Sequence, residues 1–388
     1  MNILMMGWEL PPYISGGLGT ACAGILQCLQ DHADIDIQFV LPHIKGGEQS
    51  CGAVLLPLAE DQDFSCFSPG GHAYGMANVL PATLYLENVV RLYPSFKAFD
   101  VIHAHDWMTF PAASFLKAAT GRPLVVHLHS IERDRSPASP NPQIAEMEAR
   151  GLRAADHVVA VSAYTKRQIA DTYGIDPGKI SVVHNVVPLQ RAGRRSALPT
   201  EKIVSFIGRI TSQKGPLLFV DAALEMMQDD EEMQFIMAGD GDLLPLVKSI
   251  VKANNAAHRF SFPGFVGQEQ VREILSRSSV FVMPSLSEPF GIGAIEAISS
   301  RVPVVASKYC GFTEVIANVL VVDPEEPEAI AAACLDMARS FEASDQLATR
   351  AFDELAKLSP ASAAGALCTI YARLAAHPAC RHEQIAYA

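Results

Sequence analysis

The stretch SEPFGIGAIEA, residues 287–297, sets two carboxylates, Glu288 and Glu296, on either side of a glycine-bearing turn, directly after the apolar run FVMP. That run reads as a buried strand. A helix opening near Phe290 or Gly291 would expose backbone N–H groups that suit an anion, with Ile292 in its first turn. Acidic side chains would repel that anion, unless they address neutral hydroxyls while the backbone addresses phosphate. Glu296 then lies inside the helix, displaced along its axis by roughly 1.5 Å per residue, and Glu288 stays in the entry loop. Upstream, SFIGRITSQKG carries Arg209 and Lys214 five residues apart, just past another apolar run. A planar guanidinium fork and a mobile ammonium suit a diphosphate, although a solvated basic loop has the same composition. Two diols with a diphosphate between them are the parts of a nucleoside diphosphate sugar.

The first half of the chain offers two more such places. GWELPPYISGGLGTA holds Gly16, Gly17 and Gly19, which let backbone approach a ligand, and Thr20, which starts a helix whose N-terminus can face a phosphate. A tight strand-to-helix turn would use the same glycines. FDVIHAHDW puts His103, His105 and Asp106 at a strand end, where a histidine more often serves as a structural hydrogen-bond partner than as a catalytic group. Asp240 and Asp242, in MAGDGD, have the spacing of a metal-binding pair and also of an ordinary strand-to-helix turn.

These residues need strands that end where they begin. In the first half NILMM, DIDIQFVL, AVLLPL, FDVIHA, PLVVHL, HVVAVS and ISVVH are short β-rich runs, most of them separated by helical patterns. KIVSFIG, MQFIMAG, HRFSFPG, SVFVMP, VPVVAS and VLVVD repeat the alternation in the second half. Alternation of this kind predicts doubly wound parallel sheets, in which ligands collect outside the carboxyl ends of the strands. The polar PLQRAGRRSALPT, 188–200, reads as a linker. The expected division is therefore 1–190, 200–355 and a helical tail at 356–388 that packs back toward the first domain.

At 388 residues two domains are the prior, each of about 100–200 residues. A net charge of −12 argues against nucleic acid or an anionic membrane as partner, so any anion must be held locally. The opening MNILMMG lacks a basic leader and reads as a first strand, and no apolar run approaches the ~20 residues of a membrane span. The eight cysteines show no zinc or redox spacing and read as reduced thiols of a cytoplasmic protein.

In order, GGLG, HAHDW, GRI followed by KG, and two glutamates separated by seven residues resemble the retaining glycosyltransferases of GT-B fold that include glycogen and starch synthases. VHLHS, VVHNVV, MAGDGD and FPGFVG agree with that likeness. The resemblance implies two Rossmann-like domains whose parallel sheets face each other across a cleft. It implies transfer of a hexose, α-glucosyl above all, from a UDP- or ADP-hexose to a carbohydrate or small hydroxyl acceptor, with no cofactor and no metal. By the same likeness Gly17 and Gly19 would approach the donor diphosphate, and His105 would bond the transferred sugar near its 6-hydroxyl. Arg209 and Lys214 would stabilise the leaving group, Glu288 would hold sugar hydroxyls and Glu296 the ribose diol. Amides from Phe290 through Gly291 to Ile292 would complete the phosphate site, with His129 a further donor or acceptor contact. Ile14 and Thr20 stand where many glycogen synthases have lysine and aspartate. A GT-B nucleotide-sugar epimerase and a catalytically silent sugar-nucleotide-binding homologue are the alternatives.

Overall fold

The structure, a computed structural model, describes residues 1–11, 17–30, 32, 34–42, 53–58, 79–187, 193, 197 and 199–376. Gly16, Ile14 and most of the 188–200 linker lie outside the described residues. All thirteen runs singled out in the sequence are strands. In the first half they are β1 Asn2–Met6, β2 Asp36–Leu41, β3 Val54–Pro57, β4 Val101–His105, β5 Leu124–Leu128, β6 His157–Ala160 and β7 Ile180–Val182. In the second half they are β8 Ile203–Ile207, β9 Gln234–Ala238, β10 Phe260–Gly264, β11 Ser278–Met283, β12 Val304–Ser307 and β13 Leu320–Val322.

These strands make two fully parallel sheets, ordered β3-β2-β1-β4-β5-β6-β7 and β10-β9-β8-β11-β12-β13. The chain is thus built of two Rossmann-like α/β domains of the GT-B type. Central strands are buried and mostly apolar because helices cover both faces, and Ile3 to Met6 of β1 are completely buried. In each sheet the winding direction reverses once, between β1 and β4 and between β8 and β11. The loops leaving those four strands carry most of the candidate residues, at the place where open α/β sheets bind ligands.

Two compact units emerge from the packing. One comprises Met1–Arg133, Pro137–Val186 and Ser359–Ala388, and the other Asp134–Ser136 and Val187–Leu358. The sequence placed the first changeover at 190–200 and the second at 355–356. In the first unit the helix Pro360–Ala375 buries Ala363, Ala364, Leu367, Ile370 and Tyr371 in the same core as β1 and β4. Two polar contacts fix its seat. The Tyr371 hydroxyl meets His103 Nδ1 at 2.6 Å, and Arg373 donates to His157 Nδ1 at 2.9 Å while His157 Nε2 contacts Ser181 Oγ. Burial and the Arg373 charge pull the His157 imidazole down to about 4, so it stays neutral and accepts that bond at neutral pH.

Candidate active site

In the second unit the site is assembled from the loops after β8 and β11. Past β8, a 3₁₀ turn at Ser212–Lys214 ends on Gly215, which has φ +67° and opens the helix Pro216–Asp229. A Cβ on Gly215 would stand 2.1 Å from the Pro284 carbonyl oxygen, so this glycine lets the β8 loop lie directly on the β11 exit. The Leu286 N–H donating to the Gln213 carbonyl at 2.9 Å ties the two loops together. Arg209 Nη2 donates to Gln213 Oε1 at 2.9 Å, and Lys214 Nζ lies 2.5 Å from Glu288 Oε2. That ion pair is largely buried, with side-chain exposures of 19% and 8%. The cation and the first glutamate are held together before any ligand arrives.

Glu288 is also fixed through its backbone, which accepts from the Gly311 N–H at 2.8 Å and donates to the Tyr309 carbonyl at 3.1 Å. The bridge from Glu288 to Cys310 therefore steers the carboxylate toward Lys214. Three residues on, Gly291 takes φ +113° and caps the helix Ile292–Ser299. A Cβ there would come 2.8 Å from the buried Phe312 ring and 3.2 Å from Met283 Sδ. The helix begins where the sequence placed it, with Phe290 and Gly291 buried and Ile292 half-buried. The Ala294 and Ile295 N–H groups donate to the Gly291 carbonyl, and the amide end of the helix presents a partial positive charge. Glu296 is one turn further in, half-buried, and removal of its carboxyl from water pushes it up to about 7 against a small opposing pull from Arg272.

Beside this loop pair sits the glycine-rich turn after β9. Gly239, at φ +136°, packs so closely that a Cβ would meet the Gly208 carbonyl oxygen at 1.8 Å. Asp240 Oδ1 accepts from the Gly241 N–H at 2.8 Å and its carbonyl accepts from the Ile210 N–H at 2.8 Å. These bonds give the Asp240–Asp242 motif a role as a turn, and it belongs to no metal-like cluster among the described residues.

The first unit answers with neutral groups. Asp106, directly after β4, adopts φ +56°, a left-handed conformation that aspartate tolerates better than most residues. There its N–H donates to the His127 carbonyl at 3.0 Å and its Oδ1 accepts from the His129 N–H at 2.8 Å. The exits of β4 and β5 are clamped side by side, and His105 Nδ1 lies 3.1 Å from His129 Nε2. Burial, reinforced by the neighbouring imidazoles, holds His105 and His127 well below the usual histidine range. His103 and His129 fall to about 3, so all four rings are neutral. His105 is completely buried and His129 half-buried, which leaves His129 the more reachable of the two candidates.

Gly17 is exposed at the start of the helix Gly17–Gln30, and Gly19 is buried one turn in. The Gly19 N–H donates to Glu9 Oε1 at 3.1 Å, so a carboxylate of the β1 exit already occupies an amide that the sequence assigned to phosphate. Glu9 was not singled out by spacing, because nothing in WELPP announces a bond ten residues downstream. Gln213 and His127 were likewise missed, and His103 was placed at its strand end without its bond to Tyr371. The HAH and HLH patterns carried that signal, since the β4–β5 register pairs His105 with His127.

Comparison with known proteins agrees with this geometry. Residues 192–353 match the family Glycosyl transferases group 1, and residues 16–191 match Glycosyltransferase Family 4. The glycosyltransferase MJ1607 of Methanocaldococcus jannaschii is 27% identical over 85% of this chain and 87% of its own length. Alpha-maltose-1-phosphate synthase of Mycolicibacterium smegmatis is 29% identical, covering 82% of each. Among solved structures, sucrose-phosphate synthase from Thermosynechococcus elongatus superposes with a TM-score of 0.78 at 18% identity, over 96% of this chain and 98% of that one. Anabaena HepE, in complex with UDP-glucose, superposes at 0.74 and 18%, over 96% of this chain and all of its own. With two domain families matched in tandem on two doubly wound sheets, the chain is a GT-B-fold glycosyltransferase related to the group 1 and glycogen-synthase family.

Proposed function

We propose that this chain transfers a hexose, α-glucose first among them, from a nucleoside diphosphate sugar to a carbohydrate or small hydroxyl acceptor with retention at the anomeric carbon. The observation that carries the reading is the buried Lys214–Glu288 pair, next to Arg209 and the amide end of the helix Ile292–Ser299. Cleaving the bond between sugar and phosphate leaves negative charge on the diphosphate and positive charge on the sugar. Groups fixed at the diphosphate stabilise that transition state more than the ground state. Arg209 and Lys214 supply the positive charge, and the first-turn amides of Phe290, Gly291 and Ile292 add to it. Glu288, already bonded to Lys214, holds the sugar hydroxyls, while Glu296 takes the ribose diol. His129, with His105 bonded behind it, serves the transferred sugar as a neutral hydrogen-bond partner. The exposed Gly17 admits the diphosphate to the β1 exit, where it would have to displace Glu9 to reach the Gly19 amide.

In a same-face substitution the leaving phosphate oxygen takes the proton of the attacking hydroxyl as the new glycosidic bond forms. No separate base is then required, and the two cations stand where other enzymes use Mg²⁺ or Mn²⁺. The relatives support a glucosyl donor and a glucan-like acceptor, since they include alpha-maltose-1-phosphate synthase and the Mycobacterium tuberculosis protein named glycogen synthase. The free thiols of Cys22, Cys28, Cys310, Cys334 and Cys368 suit work in the reducing cytoplasm.

Nucleotide release by the purified chain, screened with UDP- and ADP-hexoses against sugar, sugar phosphate and glucan acceptors, tests the reading. Release that depends on an acceptor, with an α-configured product by NMR, is expected. Interconversion of donors without an acceptor would identify an epimerase, and binding without any turnover a silent homologue.

A further inference from the structure

Beneath the exits of β4 and β5 the first unit buries a cluster of imidazoles that the transfer reaction does not need in full. His103, His105 and His127 are completely inaccessible to solvent. His103 and His105 alternate on β4, and His127 faces His105 from β5. Their rings lie 4.4 to 5.5 Å apart, centre to centre. His103 Nε2, His105 Nε2 and both nitrogens of His127 have no hydrogen-bond partner among the described groups. Unpaired ring nitrogens in a dry core are a cost that folded proteins normally avoid.

The other nitrogen of each β4 histidine is taken. Tyr371 Oη lies on His103 Nδ1 and His129 Nε2 on His105 Nδ1. When these partners accept the Nδ1 protons, the lone pairs stay on both Nε2 atoms. That is the arrangement of metal-ligating histidines, whose second nitrogen donates to an outer partner that sets the tautomer. One atom from each of the three rings falls in a set mutually within 4.8 Å. A tetrahedral ion at about 2.0–2.1 Å from each nitrogen needs them about 3.3 Å apart, so the rings must draw together when it binds. Glu9 and Asp106, both buried nearby on the β1 and β4 exits, supply negative charge to offset a cation.

We infer that His103, His105 and His127 form a zinc-binding site that cross-braces β4 and β5, with Tyr371 of the C-terminal helix and His129 as its outer partners. Imidazole donors without oxygen ligands favour Zn²⁺ over Mg²⁺ or Ca²⁺. The three rings leave one tetrahedral position open. The ion would hold His105 through Nε2 while Nδ1 meets His129, so His105 would reach the transferred sugar only through His129. The ion plays no part in charge stabilisation at the diphosphate, and a metal assay tests it apart from nucleotide release.

The test uses the full chain refolded with Zn²⁺ and then exhaustively dialysed, with metal content measured by mass spectrometry and Co²⁺ substituted for an optical readout. One zinc retained per chain is expected, together with a raised Tm and a Co²⁺ spectrum showing nitrogen ligation. His127→Val and His103→Phe should each lower zinc retention about tenfold or more. His258→Gln, on an exposed residue of the second unit, should leave it unchanged. Absence of stoichiometric zinc in the native chain would overturn the inference, as it would if buried water satisfied these nitrogens. Undiminished zinc in His127→Val overturns it too, as does loss in Cys22→Ser alone, which would move the ion to the neighbouring Cys22, His105 and His129 set. Should His103→Phe not fold, His127→Val and the Co²⁺ spectrum of the native chain decide.

Discussion

The two units wind their strands in the same order about one reversal point, yet they furnish it with opposite electrostatics. After β8 and β11 stand Arg209, Lys214, Glu288 and Glu296, three of them joined through Gln213 or directly by an ion pair. At the ends of β4 and β5 stand four histidines, all held neutral by burial, with the carboxylates of Glu9 and Asp106 on the β1 and β4 exits. Backbone architecture fixes where a ligand can sit in each unit, and the side chains at the strand ends decide what that unit can bind. Charges suit a leaving diphosphate. Neutral imidazoles suit hydroxyls, which need directed hydrogen bonds and no net field.

That contrast predicts where activity is most fragile. Arg209→Ala or Lys214→Ala should lower turnover by about 10²-fold or more, on the scale of losing one preorganised electrostatic donor. A steady-state assay in which both variants keep near-native kcat would erase the difference between the units. Next in size is the division between the glutamates. Glu296→Gln should weaken a free nucleoside diphosphate and the sugar nucleotide alike, whereas Glu288→Gln should weaken only the sugar nucleotide. A charge-assisted hydrogen bond of this kind is worth about 1.5–3 kcal/mol, or roughly ten- to a hundredfold in Kd by calorimetry. Equal losses in both variants would mean that the carboxylates share one role.

On the neutral side the expected effect is on stability. Tyr371→Phe strips the buried His103 of its hydroxyl partner and should cost about 1–3 kcal/mol in urea denaturation, and an unchanged midpoint would contradict it. Glu296 couples charge to stability in the opposite sense from a salt-bridged acid. Its carboxyl is held at about 7 in the folded chain against an ordinary 4.5, so the folded state keeps a proton that the unfolded state has lost. The stabilisation is complete below about pH 4.5 and disappears as the pH rises through 7. Glu296→Gln cannot ionise and should flatten that decline, gaining on the native chain at pH 8 relative to pH 5. The smallest change is expected at the β9 turn. Mg²⁺ or Mn²⁺ should not stimulate transfer, and Asp240→Asn should leave metal dependence as it was, since that carboxylate caps its own turn.

Much of this was legible in the amino-acid order. Short apolar runs bounded by Gly and Pro located every strand, and the helix after Phe290 starts at Ile292 because Gly291 alone can take the conformation that opens it. Arg209, Lys214 and Glu288 come together because they follow adjacent strands of a parallel sheet, which the βα alternation implies. The histidine cluster was legible only as the HAH and HLH patterns, not as an assembly. It depends on the register that sets His105 opposite His127 and on a helix more than 260 residues away in sequence that brings Tyr371 to His103. Glu9 escaped for a related reason, since its bond to Gly19 is made by a loop path that no periodicity encodes.

The central claim is that the charged reversal point of the second unit binds a nucleoside diphosphate. Calorimetric titration of the native chain and of the Arg209→Ala, Lys214→Ala double variant with UDP and with ADP tests it most directly. The account predicts saturable one-to-one binding of at least one of the two by the native chain, lost in the folded double variant. Binding of equal strength in both proteins would contradict it.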